Sequence, residues 1–227
     1  VINGIEVQDQ AIVAELQVYE KSQSAVPHEA ENIADPYPCW KPKNDRLFEG
    51  FDSKVVTHIV NNAQAHSSYV VSYQRKRASA FLTKAALHLP TEGDVVETGC
   101  YQGGSTIVLM QTMLEFDQCK NRKLWVFDSF EGLPDEVAGD GDLLVNGTLD
   151  FYRYQRAKSK HKGGGRLFFT SQAQFMKNMA AALGNYDATR LVVTKGWFNE
   201  TLRASTVEKI SFLRLDGDLY DSTWQAL

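Results

Sequence analysis

The stretch Asp94-Val-Val-Glu-Thr-Gly-Cys-Tyr-Gln-Gly-Gly-Ser-Thr106 decides the fold. A short apolar strand comes first, then an acid, then glycines, then a hydroxyl pair opening an apolar run. Val95 and Val96 are β-branched and suit a buried parallel strand. Glu97 sits where such a strand ends. Gly99, Gly103 and Gly104 let the backbone turn sharply and let a ligand approach with no Cβ in the way. Ser105 or Thr106 is expected to cap a helix through Ile107, Val108, Met110 and Met113. In an open α/β sheet, the crevice at the carboxyl ends of the strands is where nucleotide-like ligands bind.

The spacing Gly-x-x-x-Gly-Gly differs from the Gly-x-Gly-x-x-Gly of dinucleotide binders. An acid ahead of the glycines would also repel a pyrophosphate. It suits a ligand with an ammonium group, such as the methionyl end of S-adenosylmethionine. The plainer alternative is a strand-to-helix turn with a capped helix and no ligand. This stretch alone leaves both open, but its spacing sets a nicotinamide-dependent oxidoreductase aside.

Upstream, a helix is expected from about Ser72 to His88, stopped by Pro90 and Gly93. Its apolar side carries Ala78, Phe81, Leu82, Ala85 and Leu89. The cluster Arg75-Lys76-Arg77 reads as its solvated face, with a place near a substrate mouth as the other reading. An earlier helix runs through Val55, Val56, Ile59 and Val60, capped by Asp52 or Ser53. Before it, Pro27, Pro36, Pro38 and Pro42 mark an irregular connector that Trp40 and Phe48 would pin. Ile5, Ile12, Val13 and Leu16 suggest a peripheral helix. Residues 1–90 therefore read as a helical and irregular extension, and 91–227 as the core.

Downstream, Leu124–Phe127 forms a second strand ending at Asp128. A charged insertion, 134–170, is acidic in its first half and basic and glycine-ended in its second. It is either a mobile loop or a lid. Then come a helix from Ser171 to Leu183, a strand Arg190–Thr194 leading to Gly196-Trp197-Phe198, and a strand Ile210–Leu215 ending in Asp216-Gly-Asp218. A last helix starts at Asp221 or Ser222. Strands alternating with helices predict an α/β fold with a doubly wound parallel sheet.

The bulk numbers fit one globular α/β unit: 227 residues, 43% hydrophobic, 23% charged. A net charge of −4 gives no reason to expect nucleic acid or an anionic membrane as partner. No apolar run reaches the roughly 20 residues of a membrane helix. No basic-then-apolar leader precedes the first helix, and the cysteines Cys39, Cys100 and Cys119 are odd in number without metal spacing. A reducing, cytoplasmic setting is expected. The first residue, Val1, points to a start further upstream.

Three places carry chemistry beyond the first turn. Asp128, at the tip of the second strand, can accept the hydroxyls of a ribose, or it can cap the next turn together with Ser129. Trp197 or Phe198 can stack on an adenine or belong to the core. Asp216 and Asp218 stand two apart at a strand end and face one crevice. One can hold a hard divalent cation such as Mg²⁺, and the other can act as general base toward a hydroxyl. The alternatives are a helix N-cap for Asp218 and an arginine partner, Arg214 or Arg203, for Asp216.

Four motifs stand in order: Glu-Thr-Gly-Cys-Tyr-Gln-Gly-Gly (97–104), Phe-Asp-Ser-Phe-Glu-Gly-Leu-Pro (127–134), Gly-Trp-Phe-Asn-Glu-Thr-Leu (196–202) and Leu-Arg-Leu-Asp-Gly-Asp-Leu-Tyr-Asp-Ser-Thr (213–223). Together they resemble the macrocin O-methyltransferase family. The resemblance implies a Rossmann-like, class I, S-adenosylmethionine-dependent enzyme that methylates sugar hydroxyls with Mg²⁺. It implies cofactor contacts from Glu97, Gly99 and Asp128, a metal ligand in Asp216 and a base in Asp218. Gly103, Gly104, Ser105, Ser129 and Trp197 complete the expected cofactor site. The expected partner is a small-molecule hydroxyl acceptor, a sugar or glycoside, with homo-oligomerisation left open. The family continues into a further strand ending in an Asp-Asp pair, which these residues lack. That leads to the expectation of a fragment without its C-terminal strands, with Ile210–Leu215 as an open edge and little turnover. The rival reading is a non-catalytic or degenerate module that binds S-adenosylmethionine or S-adenosylhomocysteine.

Overall fold

The computed structural model describes residues 54–68, 70–89, 91–117, 121–133 and 166–227. The expectations for residues 1–53 and most of the charged insertion lie outside them. In chain order the helices are α1 (Lys54–His66), α2 (Tyr73–His88), α3 (Gly104–Phe116), α4 (Gln172–Leu183), α5 (Phe198–Thr201) and α6 (Tyr220–Ala226). The strands are β1 (Asp94–Thr98), β2 (Leu124–Asp128), β3 (Leu191–Lys195) and β4 (Ile210–Leu215). None of the described helices is long and apolar enough to cross a membrane.

The strands are short β-branched and aromatic runs, and all pair in parallel in the order β3-β2-β1-β4. The chain steps outward from β1 through β2 to β3, then returns to the other side of β1 as β4. Reversal of direction between β1 and β4 makes a topological switch point there, and the loops leaving those two strands part to open a crevice. Register brings Glu97 of β1 opposite Val126 of β2 and Arg214 of β4.

α3 is apolar on nearly every side, which suits a helix buried all round. It packs against α1, α2 and α4. Ile107, Leu109, Met110 and Met113 join Val95, Leu124 and Val126 of the sheet in one buried cluster, to which α1 adds Val56, Ile59 and Val60. Phe175 of α4 meets Phe130 with ring centroids 5.4 Å apart. α1 and α2, which the boundary at residue 90 puts in an extension, thus pack directly on the central helix.

Four local expectations need correction. Neither Ser105 nor Thr106 caps α3; the cap position is Gly103, left-handed at φ 86° with no side-chain bond. Thr106 gives its hydroxyl to Glu97 instead, because that carboxylate is fully buried and needs donors. Lys76 is not on a solvated face. It is 0% exposed, its Nζ donates to the Ser68 carbonyl at 3.4 Å, and burial lowers its pKa. Asp218 does not cap α6, since Leu219 holds that position. β3 also starts one residue late, because Arg190 ends a 3-10 turn and is held by buried Asp117 at 2.6 Å.

Gly99 is fixed by two constraints at once. Its φ is +83°, and a Cβ there would sit 2.1 Å from the Asp216 carbonyl oxygen. Asp216 in turn donates its N–H to the Thr98 carbonyl at 2.9 Å. The ends of β1 and β4 therefore touch through backbone. Gly99→Ala is expected to cost about 1–3 kcal/mol for the strained conformation, with the contact adding to it. Urea denaturation checks this, and an unchanged midpoint would show that the two loops can part freely.

Candidate functional site

The switch-point crevice gathers residues from every strand end. The β1 turn brings Gly99, Cys100, Tyr101, Gln102, Gly104 and Ser105; the tip of β2 brings Asp128 and Ser129. Gly196, Trp197 and Phe198 follow β3, and Asp216 to Asp218 follow β4. Ser68, Val70, Val71 and Arg75 close it from the side of α2, and Phe168 from the segment before α4. Gly99, Gly104, Ser105, Asp128, Ser129, Trp197, Asp216 and Asp218 thus share one cavity. Glu97 and Gly103 lie behind its wall. A Cβ on Gly103 would meet the Phe175 ring at 3.1 Å, in the core.

Asp128 organises the β1 turn. Its Oδ2 accepts from the Cys100 N–H at 2.8 Å and the Tyr101 N–H at 3.1 Å, and its Oδ1 accepts from the Phe130 N–H at 2.7 Å. A carboxylate has about four acceptor positions, so about one remains, on Oδ1. The turn-capping alternative is therefore realised. Ser129 accepts from the Glu131 N–H at 3.2 Å and donates to the Gly132 carbonyl at 3.2 Å.

Glu97 connects the crevice floor to the sheet. Oε2 accepts from Thr106 at 2.5 Å and Oε1 from Arg214 at 3.1 Å. Burial raises its pKa; Arg214 and the hydroxyls of Ser105 and Thr106 pull the other way. The second arm of Arg214 donates to Oδ2 of Asp216 at 2.8 Å. One guanidinium thus bridges a buried acid on β1 and a crevice acid after β4, the arginine-partner alternative for Asp216.

Asp218 stands at the exposed mouth with a left-handed φ of 62°. Partial desolvation of its carboxyl at the mouth and repulsion from Asp216 push its pKa up to about 6, against the pull of Arg214 and Arg75. Tyr101 (φ 48°) and Phe168 (φ 57°) are left-handed too, and their rings meet edge-on at 5.6 Å. Left-handed non-glycine residues cluster where a site over-determines the backbone. Among the described residues, no group of three or more His, Cys, Asp or Glu side chains gathers to hold a metal.

Sequence reading missed Tyr101, Phe168, Ser68, Val70 and Val71. Tyr101 sits inside the glycine turn and could have been found there. Phe168 offers no local signal.

The family model Macrocin-O-methyltransferase (TylF) matches residues 74–227. The chain belongs to the macrocin O-methyltransferase family. Among curated relatives, it is 36% identical over 137 residues to demethyldecarbamoylnovobiocin O-methyltransferase of Streptomyces niveus, covering 60% of this chain and 46% of that protein. It is 30% identical over 144 residues to mycinamicin III 3''-O-methyltransferase of Micromonospora griseorubida, covering 63% and 52%. The chain spans about half the length of the curated relatives it matches. The solved O-methyltransferase NovP superposes with a TM-score of 0.54 at 27% identity, over 68% of this chain and 58% of that one. The Rossmann-like parallel sheet expected from the sequence is thus shared with a solved O-methyltransferase.

Proposed function

We propose that the protein transfers a methyl group from S-adenosylmethionine to a hydroxyl of a sugar or glycosylated small molecule. The observation that carries this is the meeting, in one crevice, of the β1 glycine turn, the β2 acid and the Asp216/Asp218 pair. The relatives named as O-methyltransferases support methyl transfer to a hydroxyl.

The crevice suits an adenosyl ligand. Trp197 and Phe168 offer aromatic walls for a base, and the remaining acceptor on Asp128 suits one ribose hydroxyl. At the start of α3, Gly104 and Ser105 line the crevice with no side-chain cap ahead of them. The ammonium does not have Glu97 beside it, since Glu97 is sealed behind the wall; Asp128, Asp216 and Asp218 are the carboxylates within the cavity. S-adenosylmethionine supplies an electrophilic methyl group on a sulfonium and leaves as S-adenosylhomocysteine. Asp218 takes the proton of the acceptor hydroxyl, and Arg214 holds Asp216 in place.

Mg²⁺ belongs to the same proposal. Asp216 keeps one oxygen clear of Arg214, and Asp218 adds a second carboxyl. Mg²⁺ is usually held by one or two carboxylates plus ligand oxygens and water, so these two acids fit it as hard donors without forming a complete cage. Held there, it would make the proton of the acceptor hydroxyl easier to remove.

Titration calorimetry with S-adenosylhomocysteine tests the reading, followed by transfer of labelled methyl to a panel of glycosides with and without Mg²⁺. Binding and transfer are expected. No binding at millimolar ligand would remove the reading. Binding without transfer would select the non-catalytic module, which the engagement of Asp216 by Arg214 favours.

A further inference from the structure

The crevice wall carries three carboxylates, Asp128, Asp216 and Asp218, and among the described residues one basic side chain, Arg75. Arg214 is engaged by Glu97 and Asp216. Arg75 lies in the first turn of α2, exposed, with its backbone N–H given to the Ser72 cap at 3.3 Å. Its neighbour Lys76 is buried against the start of α3, with Cε 3.3 Å from where a Gly104 Cβ would stand. That contact fixes the first turn of α2 beside the glycine turn, so Arg75 shares the crevice with Gly104 and Ser105.

We infer that Arg75 takes the α-carboxylate of the cofactor's amino-acid part and so separates the whole cofactor from its nucleoside portion. The inference rests on the proposed S-adenosylmethionine-dependent function. In that reading the cofactor brings one anionic group, while a sugar hydroxyl acceptor is neutral. A carboxylate entering a cavity with three acids on its wall needs a cation opposite. A guanidinium meets a carboxylate with two parallel N–H bonds, which an ammonium cannot do.

The test compares S-adenosylhomocysteine with 5′-methylthioadenosine, which lacks the amino-acid part, by calorimetry on wild type, Arg75→Gln and Arg75→Lys. Arg75→Gln is expected to weaken S-adenosylhomocysteine by roughly 10- to 100-fold, the range for a charge-assisted bond. Binding of 5′-methylthioadenosine should stay unchanged, and Arg75→Lys should recover part of the loss. Unchanged affinity for S-adenosylhomocysteine would overturn the inference, as would equal weakening of both ligands. Failure of wild type to bind S-adenosylhomocysteine would instead remove the parent reading, and the inference with it.

Discussion

Arg214→Met is expected to lower the unfolding free energy by about 3–5 kcal/mol, the range for breaking a buried ion pair from one side. Glu97 is 0% exposed, and Arg214 is its one cationic partner among the described bonds. The hydroxyls of Thr106 and Ser105 are left as donors, and they cannot balance a full charge. The pH dependence has a definite sign. Burial already raises the Glu97 pKa above its ordinary value, and loss of Arg214 raises it further. A carboxyl raised in the folded state is tolerated while protonated and costs stability as pH rises through its folded pKa. The deficit of Arg214→Met should therefore be larger at pH 8 than at pH 5. Adding Glu97→Gln should return part of it. Urea denaturation of the single and double variants at both pH values is the measurement. A deficit under about 1 kcal/mol, the range of exposed pairs, would mean that water reaches Glu97.

The same residues show what the sequence could and could not convey. β1 and β4 were legible to the residue because runs such as Val95-Val96 and Ile210–Leu215 have few alternatives beside glycine turns. The crevice was legible for the same reason, since its strand ends carry glycines and acids. The cap of α3 was not. Ser105-Thr106 ahead of an apolar run is a good local cap signal, but the unmet acceptors of a buried Glu97 outcompete it for Thr106. Lys76 fails differently. Two flanking arginines make the cluster read as solvated, and only the packing of α2 on α3 decides that its middle member is buried. Arg214 and Asp216 alternate correctly to share one face of a strand, so their pairing was available as an alternative. Nothing local could tell that Arg214 would also reach across to Glu97. Phe168 reaches Tyr101 over a long sequence separation, and no periodicity encodes such a contact.

Asp218→Asn is expected to lower methyl transfer by about 10²–10⁴-fold, the usual worth of a general base, while S-adenosylhomocysteine binding holds. The two readouts separate a base from a residue that shapes the pocket. The pH profile adds an independent check. With its pKa pushed up to about 6, Asp218 is protonated and idle below that value and free to accept a proton above it. Measured without added Mg²⁺, kcat/KM, which reports groups of the free enzyme, should rise through pH 6 and level off above 7. The groups facing Asp218 set that midpoint: Asp216 and Asp128 raise it, and Arg214 and Arg75 lower it. Asp216→Asn removes the larger of the two repulsions, so the midpoint should move to lower pH. Its effect on any Mg²⁺ requirement should appear separately, as a higher concentration for half-maximal rate. A rate for Asp218→Asn within a few-fold of wild type, or a midpoint that ignores Asp216, would take Asp218 out of the proton transfer. The base would then have to come from water or from the acceptor side of the crevice.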